Sequence, residues 1–207
     1  MRCRVNAGLL LPTIVALAAT ASPASAQALA WDSLSMAGIA RASDRVNAVF
    51  VDRVSRNERV PAGDWVSYLA ARLDALPIPD SLGILVAVDS AVIRVRGRVM
   101  DFPADTRELF RPLLFFMDST AVLEGTVIMG PSHPGAIRFI LATISINGIM
   151  VPESILSRFM AQVGRRYPVL TETGRELIIA IPPEGRVTLE RNAVRLRMLS
   201  STGAPPG

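Results

Sequence analysis

The stretch 136-AIRFILATISINGIMVPESILSRFM-160 changes from a strand pattern to a helix pattern within a few residues. Its first part, residues 136–146, is rich in isoleucine, which favours extended backbone. Asn147-Gly148 then breaks the strand, because this pair favours a tight turn. Pro152 introduces a helix at about 153–163, since the first helical turn needs no N–H from that position. The sequence therefore predicts a fold of the α+β class.

Both faces of this predicted strand are apolar, whereas an antiparallel strand with one face in water alternates apolar and polar residues. The two alternating sets are Ile140, Ala142, Ile144 and Ile146 on one side, and Phe139 and Leu141 on the other. We therefore expect part of the strand to be covered on both sides.

Three β-hairpins account for the strand patterns. In each, two extended segments flank a short turn rich in Pro, Gly, Asp or Ser. The predicted pairs are 83–88 with 91–100, 120–129 with 136–150, and 176–181 with 186–199.

Three further segments show the three- and four-residue apolar spacing of amphipathic helices. They cover residues 32–56, 64–76 and about 106–117, and Asp32 or Ser33 is a suitable cap for the first.

Pro61 and Gly63 predict a break between the first two helices, at 57–63. The whole order predicts a single α+β domain over residues 27–199, in which a curved antiparallel sheet of hairpins wraps against helices. The Pro- and Gly-rich residues 200–207 are expected to form a flexible tail.

The first 26 residues have the three parts of a secretory signal peptide. Arg2 and Arg4 form a cationic start, residues 7–20 form an apolar core, and Ala24-Ser25-Ala26 is a small-residue cleavage site before Gln27. We therefore expect cleavage after Ala26 and export to the periplasm or the extracellular medium.

Export also bears on cysteine chemistry and membrane attachment. Cys3 is the one cysteine in the sequence and lies in the leader, so the mature chain is expected to contain no disulfide. Gln27, not a cysteine, follows the cleavage site, so lipid anchoring there is not expected. The apolar run is shorter than the roughly 20 residues that cross a bilayer, and Pro12 interrupts it. No transmembrane span is expected in the mature chain.

The charge composition argues against several functions. All 22 basic residues are arginine, which excludes Schiff-base and P-loop lysine chemistry. Without the leader, 20 arginines face 18 acidic residues, a net charge of +2. Because there is no dense basic stripe and few aromatic residues, a nucleic-acid partner is not expected.

Catalytic and metal-binding side chains are sparse. His133, the single histidine, lies in a predicted turn and is interpreted as a solvated residue. Without other histidines or a cysteine, a zinc site is not expected. No spacing selects a pair of carboxylates for glycoside hydrolysis among Asp64, Asp101, Asp105, Glu108 and Glu124. Asp64 and Asp105 are explained as helix-start residues. We expect no cofactor and no enzymatic activity.

Two rows of arginines alternate along predicted strands: Arg94, Arg96 and Arg98, and Arg195 and Arg197. If the two strands were neighbours, five guanidinium groups could meet anionic lipid headgroups or acidic sugars. The preferred interpretation is a solvated sheet face, with ion pairs to acids such as Glu190.

Residues 135–160 resemble the strand, Asn-Gly turn, Pro and helix of small bacterial envelope proteins with folds like the tubular lipid-binding (TULIP) superfamily. The helix 64–76 and the hairpin that ends at Arg98-Val99 are similar to the opening half of these proteins, so the likeness covers about 64–165. It implies a long helix within a strongly curved sheet, with lipid acyl chains in the seam between them.

The leading hypothesis is an exported protein that binds a lipid or another apolar ligand. The ligand would lie between helix 153–163 and the inner face of strands 120–129 and 137–146. Its predicted lining residues are Ile140, Ile144, Ile146, Phe159 and Met160. The alternatives are an envelope interaction or structural module whose apolar residues all form core, with another envelope protein as its partner, and a hydrolase that uses two carboxylates.

Overall fold

A computed structural model of the 207-residue chain describes residues 29–73, 83–102, 107, 118, 120–131 and 133–199. Within these ranges three helices are present: α1 (Met36–Val46), α2 (Ala62–Arg72) and α3 (Glu153–Arg166). The predicted signal peptide 1–26, the predicted tail 200–207 and, apart from Arg107, the predicted helix 106–117 lie outside the described residues.

Ten strands form two antiparallel sheets in the part of the chain that the structure describes. They are β1 (Asp32–Ser33), β2 (Asn57–Pro61), β3 (Leu85–Val88), β4 (Val92–Arg98), β5 (Val122–Met129), β6 (Ala136–Ile146), β7 (Ile149–Met150), β8 (Glu176–Ala180), β9 (Gly185–Glu190) and β10 (Ala193–Met198).

The larger sheet has the order β1-β3-β4-β5-β6-β7, and β8 pairs with the first half of β6. The smaller sheet has the order β2-β10-β9. The predicted α+β class is confirmed, as a single domain with an open, curved antiparallel sheet. The first two predicted hairpins are the β3–β4 and β5–β6 pairs.

The third predicted hairpin, 176–181 with 186–199, is wrong. Strand β8 pairs with β6, and the segment 186–199 is itself folded into the β9–β10 hairpin. Its turn contains Asn192, whose φ of 56° is a backbone conformation that asparagine tolerates better than most residues. This turn lacks the Gly and Pro that mark the reversals after β5 and β8, so residues 186–199 have the sequence pattern of one long strand.

The first helix is shorter than predicted and has a different cap. Residues 32–33 form β1, and the Ser35 side chain accepts the N–H of Gly38 at 3.0 Å to begin α1. The carboxylate of Asp32 instead accepts the N–H of Gly63 at 2.9 Å, at the start of α2. A π-helical turn, Asn47–Val51, ends this helix, so the predicted residues 52–56 are not helical.

The predicted break at 57–63 contains strand β2, which pairs with β10. Its polar sequence Asn57-Glu58-Arg59 gives no strand signal, and its pairing partner lies more than 130 residues away in the chain. Helix α2 then begins at Ala62, two residues earlier than predicted.

A β-bulge in β6 accounts for the two apolar sets of that strand. Thr126 pairs with Thr143, while the next residue, Val127, pairs with Leu141, so Ala142 is an extra residue. An extra residue turns every later side chain to the other face of the sheet. The buried residues on either side of the bulge therefore share one face: Ile137, Phe139, Ile144 and Ile146.

The main core joins both sheets through α2. Trp65, which is 1% exposed, packs against Phe139 of the larger sheet at a ring-centroid distance of 6.2 Å. The inner face of the smaller sheet, including Val194 and Leu196, belongs to the same cluster. A second cluster forms where Leu156 and other residues of α3 pack against β5 and β6. No described helix is long and apolar enough to cross a lipid bilayer.

Candidate functional site

An apolar groove lies on the inner face of the larger sheet, between α2 and α3. Its volume is about 290 Å³. The floor consists of alternate residues of the three central strands, which point inward because side chains along a strand alternate between faces. These residues are Ile93, Val95, Val127, Phe139 and Leu141.

The two walls come from helices. Helix α2 contributes Val66, Leu69 and Ala70, and Leu73, the residue that caps its C-terminal end, continues the same face with three- and four-residue spacing. Helix α3 contributes Met160 and Val163, and the segment 170–177 closes one end. Because the lining side chains of both helices are apolar, the groove favours an apolar occupant.

A close backbone contact holds the end of the groove against α3. Gly174, at φ +69°, lies so near the helix that a Cβ there would be 1.8 Å from the carbonyl oxygen of Met160. Gly164 faces the same loop, and a Cβ there would be 2.9 Å from the Cα of Gly174. Both positions need glycine because no side chain fits between the loop and the helix.

Arg175 is the one charged residue among the described lining residues. Its guanidinium forms an ion pair with Glu153 at 2.7 Å and donates to the Ser157 hydroxyl at 3.2 Å. Arg175 and, to a lesser extent, the Ser157 hydroxyl lower the pKa of Glu153. The Glu153 side chain is 69% exposed, so the ion pair lies at the rim of the groove.

The five residues predicted to line a ligand site divide into three locations. Met160 lines the groove. Ile144, Ile146 and Phe159 are buried in the second core cluster beside it. Ile140 pairs with Ile128 on the opposite face of the larger sheet, because it precedes the bulge. Sequence analysis did not identify the α2 wall, although the apolar stripe of α2 was visible in it.

The two arginine rows lie in different sheets, β4 in the larger and β10 in the smaller, so the two strands are not neighbours. Arg96 stacks over the ring of Trp31 at 5.4 Å, and Arg98 forms a 3.0 Å ion pair with Asp101, which lowers the pKa of that carboxyl. Arg94 is exposed opposite Thr126.

The second row matches the interpretation as an ion-paired face. Arg195 binds both carboxylate oxygens of Glu190 and donates to Asn57 at 3.1 Å. Arg195 lowers the pKa of Glu190, with smaller contributions from Arg59 and Arg197. Arg197 is exposed on the same strand.

Asp64 and Asp101, two of the scattered carboxylates, are held by arginines. Asp64 lies in the first turn of α2, is 5% exposed and accepts two hydrogen bonds from Arg41, at 2.6 and 3.0 Å. Glu124 lies opposite Arg96 in the sheet. Asp105 and Glu108 lie outside the described residues.

His133 is exposed in the β5–β6 turn. Among the described residues, no group of three His, Cys, Asp or Glu side chains is placed to hold a metal ion.

Comparisons of the chain with protein-family models, with curated proteins and with solved structures found no match.

Proposed function

We propose that this chain is an exported protein that binds a lipid acyl chain, or a similar apolar ligand, in the groove between α2, α3 and the larger sheet. The observation that carries the proposal is the groove itself, about 290 Å³ lined by apolar side chains, with Arg175 as its one charged lining residue among those described. A preformed apolar concavity with a polar group at its edge is the usual form of a small-molecule site.

The volume favours a medium-length chain. A water molecule occupies about 30 Å³, so the groove has room for about ten groups of that size, which suits an acyl chain of roughly 8–12 carbons. Each methylene removed from water contributes about 0.8 kcal/mol. Part of this gain offsets the loss of translational freedom on binding.

The rim favours a ligand with an anionic head. Arg175 is 20% exposed and its present partner, Glu153, is on the solvent side at 69%. A carboxylate or phosphate at the rim replaces Glu153 on the guanidinium while the chain lies in the groove, since arginine binds both anions with paired hydrogen bonds.

Two features of the sequence support this assignment. The leader at residues 1–26 directs the protein to a compartment outside the cytoplasm. The resemblance over 64–165 to envelope proteins with TULIP-like folds implies acyl chains in a seam between helix and sheet.

A chain-length series tests the proposal. The protein is expressed with its own leader, its mass is measured to detect cleavage after Ala26, and octanoate, decanoate and dodecanoate are titrated by calorimetry. We expect the affinity to increase about fourfold per methylene, from about 0.8 kcal/mol each, until the groove is filled. Val163→Gln, which buries an amide in the groove, is expected to weaken decanoate binding by about tenfold.

Val54→Gln is the matched control, because Val54 is 80% exposed and does not line the groove. Affinities that do not change with chain length, or an equal loss in both variants, would contradict the proposal. Absence of binding, together with no lipid in an organic extract of the purified protein, would instead favour the interaction module whose apolar residues are all core.

A further inference from the structure

A second cavity, of about 240 Å³, lies between the C-terminal end of α1, helix α2 and the ends of β6 and β8. It differs from the apolar groove because polar groups contribute to its wall. Trp65, Tyr68 and Arg72 line it from α2, whereas Val66, Leu69 and Leu73 of the same helix line the groove. The packed rings of Trp65 and Phe139 stand between the two cavities.

Trp65, in this wall, carries a buried donor without an acceptor among the described residues. Trp65 is 1% exposed, and its indole N–H makes no hydrogen bond with any described group. An unsatisfied buried donor costs about 1–3 kcal/mol. Trp65 lines the cavity, so its ring lies beside any molecule bound there.

The guanidinium group of Arg72 supplies a cation at the same cavity. The Arg72 guanidinium lies 5.4 Å from the centre of the Tyr68 ring, and its Nε donates to the Tyr68 hydroxyl at 3.1 Å. These contacts hold the side chain while its terminal nitrogens have no partner among the described residues. Neither Asp nor Glu is among the described residues that line the cavity, so the polar groups that it presents there favour an anion.

The backbone beside the cavity is also unusual. Helix α1 continues into the π-helical turn Asn47–Val51, and Asn47, Phe50 and Val51 of this turn line the cavity. Single π-helical turns occur frequently at functional sites. The opposite wall is apolar and includes Ile137, Ile179 and Ile181.

We infer that this cavity binds a compact amphipathic carboxylate. The carboxylate, which only accepts hydrogen bonds, meets the Arg72 guanidinium, and a small apolar body packs against the isoleucines, Phe50 and the Trp65 ring. The volume lies just below the 300–1,000 Å³ that is usual for drug-sized ligands, so the body is about the size of one ring. This site does not depend on the acyl-chain groove.

The indole N–H offers a direct readout. The sequence contains two tryptophans, so Trp31→Phe leaves Trp65 as the single indole signal in a ¹H–¹⁵N spectrum. In that background, titration with sodium phenylacetate is expected to shift the Trp65 indole signal with a saturable curve, because the ring lines the cavity. Phenylacetamide, which has the same shape without the charge, is expected to bind at least tenfold more weakly.

Variants on both sides of α2 locate the binding. Arg72→Gln is expected to weaken phenylacetate binding at least tenfold, while Arg94→Gln, an exposed arginine away from both cavities, leaves it unchanged. Val163→Gln is also expected to leave it unchanged, because Val163 lines only the groove.

Three results would overturn the inference. These are no shift of the Trp65 signal at millimolar phenylacetate, an equal response to phenylacetamide, or an affinity that is reduced by Val163→Gln and not by Arg72→Gln. The last result would assign the ligand to the acyl-chain groove.

Discussion

The inner faces of the two sheets are both apolar, but they differ in how closely they are covered. In the smaller sheet Val60, Val194 and Leu196 are fully buried. In the larger sheet Val95 and Leu141 remain half-buried and border a groove of about 290 Å³. An apolar strand face becomes core where a helix packs closely on it and a binding surface where two helices leave a gap. The difference lies in the covering elements and not in the strands.

The largest expected effect comes from replacing one leucine on each sheet with alanine. Leu196→Ala removes a fully buried side chain and should lower the free energy of unfolding by about 2–5 kcal/mol. Leu141→Ala borders existing space and should cost about 1 kcal/mol, since less contact is lost. Urea denaturation of both variants measures the difference. Equal losses would show that the groove is packed as tightly as the core.

Glycine substitution tests how the groove is closed. Gly174→Ala places a Cβ 1.8 Å from a backbone oxygen of α3, so the loop must move, and we expect a loss of about 2–4 kcal/mol. Gly148→Ala is the matched control, because its φ is also positive at +80° but nothing lies within 4 Å of the added Cβ. It should cost about 1 kcal/mol.

The same pair of variants also separates closure from backbone strain. Gly174→Ala should weaken decanoate binding, whereas Gly148→Ala should not. Thermal unfolding and calorimetry check both expectations. Similar values for the two variants would show that the close contact at Gly174 does not control the closure of the groove.

Acid titration compares the ion pairs of the two regions and gives the smallest effect. Arg195 lowers the pKa of Glu190 beside the smaller sheet, and Arg175 lowers that of Glu153 at the groove. A carboxyl whose pKa is lower in the folded state stabilises the fold above its usual value of 4.5. That contribution is lost as the pH falls from 4.5 through the lowered value.

Glu190→Gln should therefore lower the urea midpoint at neutral pH and make no difference once the pH is below the lowered pKa. Glu153→Gln should act in the same direction but less, because the side chain of Glu153 is 69% exposed and that of Glu190 is 31% exposed. Urea midpoints between about pH 6 and pH 3 measure this. A difference that persists unchanged in acid would contradict the assigned sign.

The elements that local pattern predicts are those whose signals lie within a few residues. Strand β4 follows period-two alternation, and β3 and β6 are apolar runs that end at turns. The Asn147-Gly148 turn follows from residues that tolerate positive φ, here 49° and 80°. The start of α3 after Pro152 is of the same kind.

Elements that depend on distant partners were missed or misplaced. Strand β2 exists because its backbone pairs with β10, and Asp32 caps α2 rather than α1 because β1 brings it there. The bulge at Ala142 reverses the parity of β6, which moved Ile140 to the opposite face from Ile144. No local signal marks the bulge, because both alternating sets of side chains in that strand are apolar.

The sequence by itself determined the α+β class, the central hairpins, the inward and outward faces of β4, and the scarcity of histidine, cysteine and lysine. These follow from side-chain spacing and composition. Only the tertiary structure decided that α2 forms a wall of the groove, that Trp65 and Arg72 line a second cavity, and that the arginine rows lie in different sheets. Those features depend on distances between elements, and such distances are set by how helices pack on sheets, which no single segment encodes.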